Sequence, residues 1–217
     1  MGLVFDGADD TVDVATFPMP TTGSVSFWFR PDTVIDGTLD QSIIGITNAS
    51  PLRIFDVHPY SDGNWYCGWY NAGTDTRARF SPPDLTGTPW HHFCMRWVDA
   101  TSVAVYIDNV LQTNLNGVQT SATWDTSALT MQTGGNGTGF VNAGITDLRI
   151  FNVNLTTAEI QTLYESRLKI GSVTRGLVNY WPMDDQPAGT SADVDTIRDV
   201  VGGENGKLSG ASITNHL

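Results

Sequence analysis

Carboxylates are the commonest side chains here that could do chemistry, and their types are lopsided. Twenty of the 23 acidic residues are Asp; the three Glu are Glu159, Glu165 and Glu204. Hydrolysis of a glycosidic bond needs two carboxyl groups facing each other across it. Glu159 and Glu165 fall in a helical stretch and Glu204 in a glycine-rich turn, and no pair of Asp residues stands in a motif that marks such a site. His91 and His92 are adjacent on a strand-like run, so one points into a sheet face and the other away, and they cannot act as a joint pair. Cys67 and Cys94 sit among aromatic residues and read as buried free thiols. They are too few for a disulfide scaffold, and with His91 and His92 they lack the spacing of a zinc site. No nucleophile elbow, phosphate-binding loop or zinc-protease motif occurs, and Gly134 to Gly139 lacks the Lys of a P-loop. Catalysis is therefore not expected.

Binding chemistry is better represented. In Asn64-Trp65-Tyr66-Cys67-Gly68-Trp69-Tyr70, strand alternation puts Trp65, Cys67 and Trp69 on one face and Tyr66, Gly68 and Tyr70 on the other. Gly68 between two tyrosines leaves a flat space on which a sugar ring could stack. Trp124, in a polar loop, is a second candidate; the alternative is that neighbouring loops pack both faces. The formal charge of −12 comes with few, unclustered basic residues, which argues against nucleic acid and anionic membrane as partners. The acidity serves solubility, or supplies oxygen ligands for a hard cation such as calcium.

The elements that must position these groups are mostly strands. Short runs rich in Val, Thr and aromatics, separated by Gly, Pro, Asn and Asp, point to a sandwich or barrel. Strands are expected at 5–14 (with a turn), 24–30, 42–47, 52–57, 64–70, 76–80, 89–97, 102–107, 129–132 and 144–151, the last bulged or fully buried. One helix is expected: Thr156 is its N-cap and Glu159 completes a capping box. Leu155 and Ile160 fit a hydrophobic staple, and Ile160, Leu163, Tyr164 and Leu168 share one face. That helix is expected on the rim of the sandwich. No apolar run approaches membrane-spanning length. The opening residues show no secretory pattern, which reads as a protein kept in the cytosol or carried within a particle.

Three passages, in order, resemble the laminin-G-like branch of the concanavalin A-like superfamily. They are Leu3-Val4-Phe5-Asp6-Gly7-Ala8-Asp9-Asp10-Thr11-Val12 with Val25 to Asp32, Trp90-His91-His92-Phe93 through Trp97 with Val105 to Asp108, and Gly144 to Asn152 running into Leu155 to Tyr164. The resemblance implies an all-β, two-sheet antiparallel jelly-roll sandwich over residues 1–168, with one short helix and a C-terminal extension over 169–217. Glycosidases of this fold resemble one another in a Glu-x-Asp-x-x-Glu strand, which is absent here. Tyr60 to Trp65 only faintly resembles a sialidase Asp box, with the wrong spacing. Asp147 matches a position that holds a structural calcium in laminarinase-like relatives, and the resemblance places Asp6 beside it. A pentraxin-type double calcium site is not expected, because no carboxylate stands in 134–139.

Leu177 to Asp184, Asp199 to Gly206 and Leu208 to Ala211 look like the opening strand and turn of a laminin-G-like domain, which in many relatives immediately precedes the Phe-Asp-Gly strand. Here that opening follows instead, the order a circular permutation would give. Residues 177–181 are expected to pair with the sandwich, in their own chain or a neighbour's. The functional expectation is a non-catalytic, lectin-like module binding a glycan or cell-surface ligand, carried on a bacteriophage virion or otherwise extracellular, and self-associating or part of a larger assembly. A purely structural decoration or tail-appendage role is the alternative, and a glycosidase the remote one.

Overall fold

The structure is a computed structural model. It describes residues 2–15, 19–31, 42–47, 53–71, 74–75, 77–83, 85, 90–99, 102–113, 129–135, 139–166, 172–184, 196–209 and 214–215. In chain order the elements are β1 (Leu3–Asp6), β2 (Thr11–Val14), β3 (Gly23–Pro31), β4 (Ile44–Thr47), β5 (Arg53–Pro59), β6 (Trp65–Asn71), β7 (Thr74–Asp75), β8 (Ala78–Phe80), β9 (His91–Trp97), β10 (Val103–Ile107), β11 (Val110–Leu111), β12 (Thr130–Thr133), β13 (Asn142–Phe151), α1 (Thr157–Glu165), β14 (Leu177–Trp181), β15 (Thr196–Ile197), β16 (Gly206–Ser209) and β17 (Thr214–Asn215). Among these residues, no helix is long and apolar enough to cross a membrane.

The strands form two antiparallel sheets. The first runs β11-β10-β9-β3-β13-β1-β17, with β14 also on β13; the second runs β15-β16-β2-β12-β4-β5-β6-β7, with β8 also on β6. Alternation along each strand sends one set of side chains inward. Val25, Phe27 and Phe29 of β3, Phe93, Met95 and Trp97 of β9, Phe55 and Val57 of β5, and Trp65 and Trp69 of β6 meet in the single large core between the sheets. The Asp108–Asn109 turn joining β10 to β11 has both residues at positive φ (49° and 64°), the twist-compatible turn favoured by two-residue hairpins.

Helix α1 begins as its sequence dictates. The Thr156 side chain accepts from the Glu159 N–H, and Glu159 bonds back to Thr156. It does not sit on the rim. Ile160 and Leu163, with Leu155 and Val173, pack on Cys94, Tyr106 and Phe151 across the outer face of the first sheet, and Tyr164 stacks on Trp28 at 5.7 Å. The strands beneath carry apolar or small residues on this face as well as on the inner one, so a helix must cover it. Leu168, expected on the same helical face, lies outside the described residues.

The C-terminal residues complete the sandwich. On one edge β13 pairs with β3; the other edge is shared by β1, opposite Asn142 to Ile145, and β14, opposite Leu148 to Phe151. The two run in the same direction, end to end. At the junction β13 is irregular: Asp147 takes φ 60°, and its N–H and the Thr146 hydroxyl both donate to the Pro182 carbonyl. β16 pairs with β2 in the other sheet, and β17 with β1. Trp181, Met183, Ile197 and Leu208 enter the main core, and Val173 joins the cluster beneath α1, so the described residues of 169–217 pack into the sandwich. Asp199 locks this segment. Its Oδ1 accepts from the N–H groups of Tyr180, Val201 and Gly202, and its Oδ2 from Asn179 Nδ2 and the Glu204 N–H. Trp181 Nε1 donates to the Glu204 carbonyl at 2.9 Å.

Candidate functional site

With α1 on the first sheet, the outward residues of the second sheet form the other broad face. They are in register. Lys207 of β16 stands opposite Asp13 of β2, Asp13 opposite Gln132 of β12, Gln132 opposite Gly45 of β4, Gly45 opposite Asp56 of β5, and Asp56 opposite Gly68 of β6. At about 4.8 Å per strand this row runs roughly 24 Å. Beside it, Ser209 faces Thr11 and Thr130 faces Thr47.

The row has two halves. On β16, β2, β12 and β4 the polar groups reach solvent: Lys207 and Thr130 are exposed, and Asp13, Gln132, Thr47 and Ser209 are half-buried. Gln132 Nε2 and the Thr11 hydroxyl each donate to one oxygen of Asp13, which fixes that carboxylate, and the Thr47 and Thr130 hydroxyls are paired at 2.8 Å. On β5, β6 and β8 the face is sealed. Arg77 Nη1 reaches both oxygens of Asp56 at 3.0 Å, His58 Nδ1 lies 3.6 Å from the same carboxylate, and all three side chains are buried.

Tyr66 belongs to the sealed half. The guanidinium groups of Arg77 (4.6 Å) and Arg79 (4.9 Å) both lie over its ring, Tyr60 packs beside it, and it is 5 % exposed. Tyr66 itself therefore offers no open ring face for stacking. The Tyr70 backbone pairs with Asp75 in β7; its side chain and Trp124 lie outside the described residues. The Tyr60 to Asn64 segment, compared above with an Asp box, is the hairpin turn between β5 and β6: Asp62 accepts from the Asn64 N–H and from the Tyr66 hydroxyl. Burial works against ionisation of Asp62, but these bonds and the Arg79 charge hold its carboxyl below the usual value.

Asp6 and Asp147 are not brought together. Asp6 pairs with Asn142, five residues from Asp147 along β13, a separation of roughly 15 Å. Asp147 is instead buried against Arg149 Nη2 at 2.8 Å, and Arg149 also reaches Ser172 and stacks on Tyr180. What the N-terminal loop does gather is Asp6, Asp9 and Asp10, each with an oxygen within 4.8 Å of the others. Within that loop Asp10 Oδ2 accepts from the Asp6 N–H, and Asp6 Oδ1 from the Ala8 N–H.

The two histidines and two cysteines are packed into the sheets. His91 lies against Phe29 with Nδ1 2.6 Å from Asp108, while His92 points to the opposite face and pairs with the Ser26 hydroxyl at 2.8 Å. Burial drives the His92 pKa down to about 3. Cys67 lies in the main core and Cys94 beneath α1, both unbonded. Burial raises both thiols, Cys94 to about 12, far from the reactive range.

The family model for the concanavalin A-like lectin/glucanases superfamily matches residues 6–161. The chain belongs to that superfamily. Solved structures of the same fold include a Bacteroides ovatus protein assigned as carbohydrate-binding, at TM-score 0.67 and 14% identity, covering 99% of this chain and 60% of that one. A heptameric SAP-like pentraxin of Limulus polyphemus matches at TM-score 0.57 and 19% identity over 75% and 80% of the two chains. A Trypanosoma rangeli sialidase matches at TM-score 0.51 and 18% identity, over 70% of this chain and 24% of its own. This chain thus spans 60% of the length of the Bacteroides protein. None of the curated proteins matches it in sequence. At these identities the likeness is one of fold. The Bacteroides match extends over nearly the whole chain, so β14 to β17 belong to the shared architecture.

Proposed function

We propose that this chain is a non-catalytic, lectin-like module of the concanavalin A-like superfamily that binds a glycan of a cell surface through the open half of its second sheet. The observation that carries the reading is the in-register group Asp13, Gln132, Thr130 and Thr47. These are solvent-reaching hydrogen-bonding side chains on a rigid sheet, with one carboxylate already oriented by Gln132 and Thr11. Carboxylate, amide and hydroxyl groups together offer both acceptors and donors, the complement a sugar's hydroxyls need. The assignment of the Bacteroides relative to carbohydrate binding supports this reading, and the lack of a glycosidase strand supports the non-catalytic part.

Glycan-array screening followed by calorimetry tests it. Specific binding that Gln132→Ala weakens is expected. Robust turnover of a polysaccharide, lost on changing one Asp, would overturn the non-catalytic reading.

We further propose that the module acts on a bacteriophage virion, as a self-associating subunit or with other virion proteins. Mass spectrometry of purified particles tests this, and a pure decoration role would show as particle association with no glycan bound. We assign any calcium site to the Asp6-Asp9-Asp10 loop and not to Asp147, because among the described residues that loop gathers three carboxylates within bonding reach of one ion. Calcium should then raise the melting temperature and a chelator lower it, and Asp9→Ala should remove both responses. No calcium response in the unmodified protein would end this part of the proposal.

A further inference from the structure

Two carboxylates stand in the row across the second sheet, and they are used differently. Asp56, in the sealed half, is fully buried, and both of its oxygens accept from Arg77. Asp13, in the open half, is half-buried. Its Oδ1 accepts from Gln132 Nε2 and its Oδ2 from the Thr11 hydroxyl. An ionised carboxylate has about four lone-pair sites, so each oxygen of Asp13 keeps one open. Asp13 is also firmly placed. Its strand lies between β16 and β12, and Val12 and Val14 on either side of it are anchored in the core. The carboxylate therefore meets a ligand already oriented, with little freedom left to lose.

We infer that Asp13 determines the specificity of this face by reading two adjacent free hydroxyls on one sugar ring, each donating to one of its carboxylate oxygens. This inference rests on the binding reading above and deepens it. The ligand class is a glycan with an unsubstituted vicinal diol, whatever charge it carries elsewhere. Two donors are needed because a single hydroxyl would strip water from the second oxygen without replacing its bond, which is costly. Adjacent ring hydroxyls project side by side and can donate one to each oxygen. A guanidinium fork is the other donor that suits a carboxylate in this way. It would arrive beside Lys207, a like charge, which is exposed directly opposite Asp13. With a diol the same Lys207 helps. Its ammonium and the second N–H of Gln132 can donate to the oxygens whose protons have gone to Asp13. A diol that is acylated, deoxygenated or taken up in a glycosidic bond loses one of its two donors and is discriminated against.

The test uses the full chain against dextran, mannan, galactan, xylan, laminarin and bacterial surface polysaccharides, with an arginine-rich peptide beside them. Each glycan is presented untreated and after periodate oxidation followed by borohydride reduction. Periodate cleaves the carbon–carbon bond between adjacent free hydroxyls, and reduction leaves alcohols on an opened ring, so the treatment removes vicinal diols and adds no charge. At least one untreated glycan is expected to bind, and its treated form to bind at least about tenfold more weakly. Laminarin, whose interior residues carry no two adjacent free hydroxyls, is expected not to bind. Asp13→Asn keeps the shape of the side chain and exchanges one acceptor for a donor. It should weaken binding of the same glycan by about tenfold or more. Binding that survives periodate treatment, extends to laminarin, or is unchanged in Asp13→Asn would overturn this inference and leave the lectin reading standing. The periodate comparison uses the unmodified protein, so it decides the question even where the variant does not fold. Binding of no glycan, with or without capture of the peptide, would overturn both.

Discussion

The two sheets bury their inner faces in the same way and treat their outer faces differently. The first sheet presents Ser26, Trp28, Cys94, Tyr106 and Phe151 outward, and α1 lies on them with Leu155, Ile160 and Leu163. Two serines trapped there are paired: Ser26 with His92, and Ser24 with the Val153 carbonyl and the Leu155 N–H. The second sheet presents Thr, Asp, Gln, Ser and Lys outward and can leave them in water over half its width. Burying those groups unpaired would cost too much. The face that needs no roof is therefore the one available to a polar ligand, while the roofed face serves stability.

That contrast can be broken from the stability side first. Removing residues 169–217 takes β14 from β13, β16 from β2, and Trp181 and Leu208 from the core. The shortened chain is expected to lose its cooperative unfolding transition in calorimetry; an unchanged melting temperature would mean the segment is an appendage. Trp181→Ala tests the same dependence at one residue. It empties a fully buried site and is expected to cost about 3–5 kcal/mol in denaturant unfolding. Asp199→Ala leaves five donors without their acceptor and should cost roughly 2–4 kcal/mol.

The same Asp sharpens the acid limb. Burial alone would raise its pKa, but its hydrogen bonds hold the folded value below the usual one. Its contribution is thus complete above the unfolded pKa near 3.9 and fades as pH falls through the lower folded value. Asp199→Asn should flatten the stability–pH curve in that range. His92, on the roofed face, acts at milder acidity. Its folded pKa of about 3 lies below the ordinary 6.5, so between those values the unfolded chain binds the extra proton. Stability should fall on acidification below about pH 6.5, by at most roughly 1.4 kcal/mol per pH unit, and His92→Gln should remove that slope. On the open face the expected effect is smallest. Gln132→Ala and Thr130→Val should shift unfolding by less than about 0.5 kcal/mol; a larger loss would mark those residues as structural and weaken the contrast.

Much of the fold was legible. The Thr156–Glu159 box placed the helix start because a cap is a local hydrogen-bond pattern, and the imperfect alternation of 144–151 left a bulge as one of two readings. The helix docking face was not. The rim assignment failed because the apolar outer face of the first sheet is assembled from β3, β9, β10 and β13, and only their adjacency makes it continuous. The site followed the same division. Tyr66 was singled out correctly as facing away from Trp65 and Trp69, yet the guanidinium groups that lie over its ring come from Arg77 and Arg79 after the next turn. Asp13, Gln132 and Thr130 went unremarked, although the Val12-Asp13-Val14 alternation already turned Asp13 outward.

By itself, then, the sequence determined what depends on neighbours along the chain: strand periodicity, the capped helix, the tight turns, and inner versus outer residues on each strand. The resemblance to the laminin-G-like branch added the expectation that residues 177–181 pair with the sandwich. Only the tertiary structure decided which outer faces are covered. It set the register that aligns Lys207, Asp13 and Gln132 across three strands, and it separated Asp6 from Asp147 while gathering Asp6, Asp9 and Asp10. The physical reason is that a strand's two faces are set by its own alternation, whereas a binding surface is a property of pairings between residues more than a hundred positions apart, as Asp13 and Gln132 are.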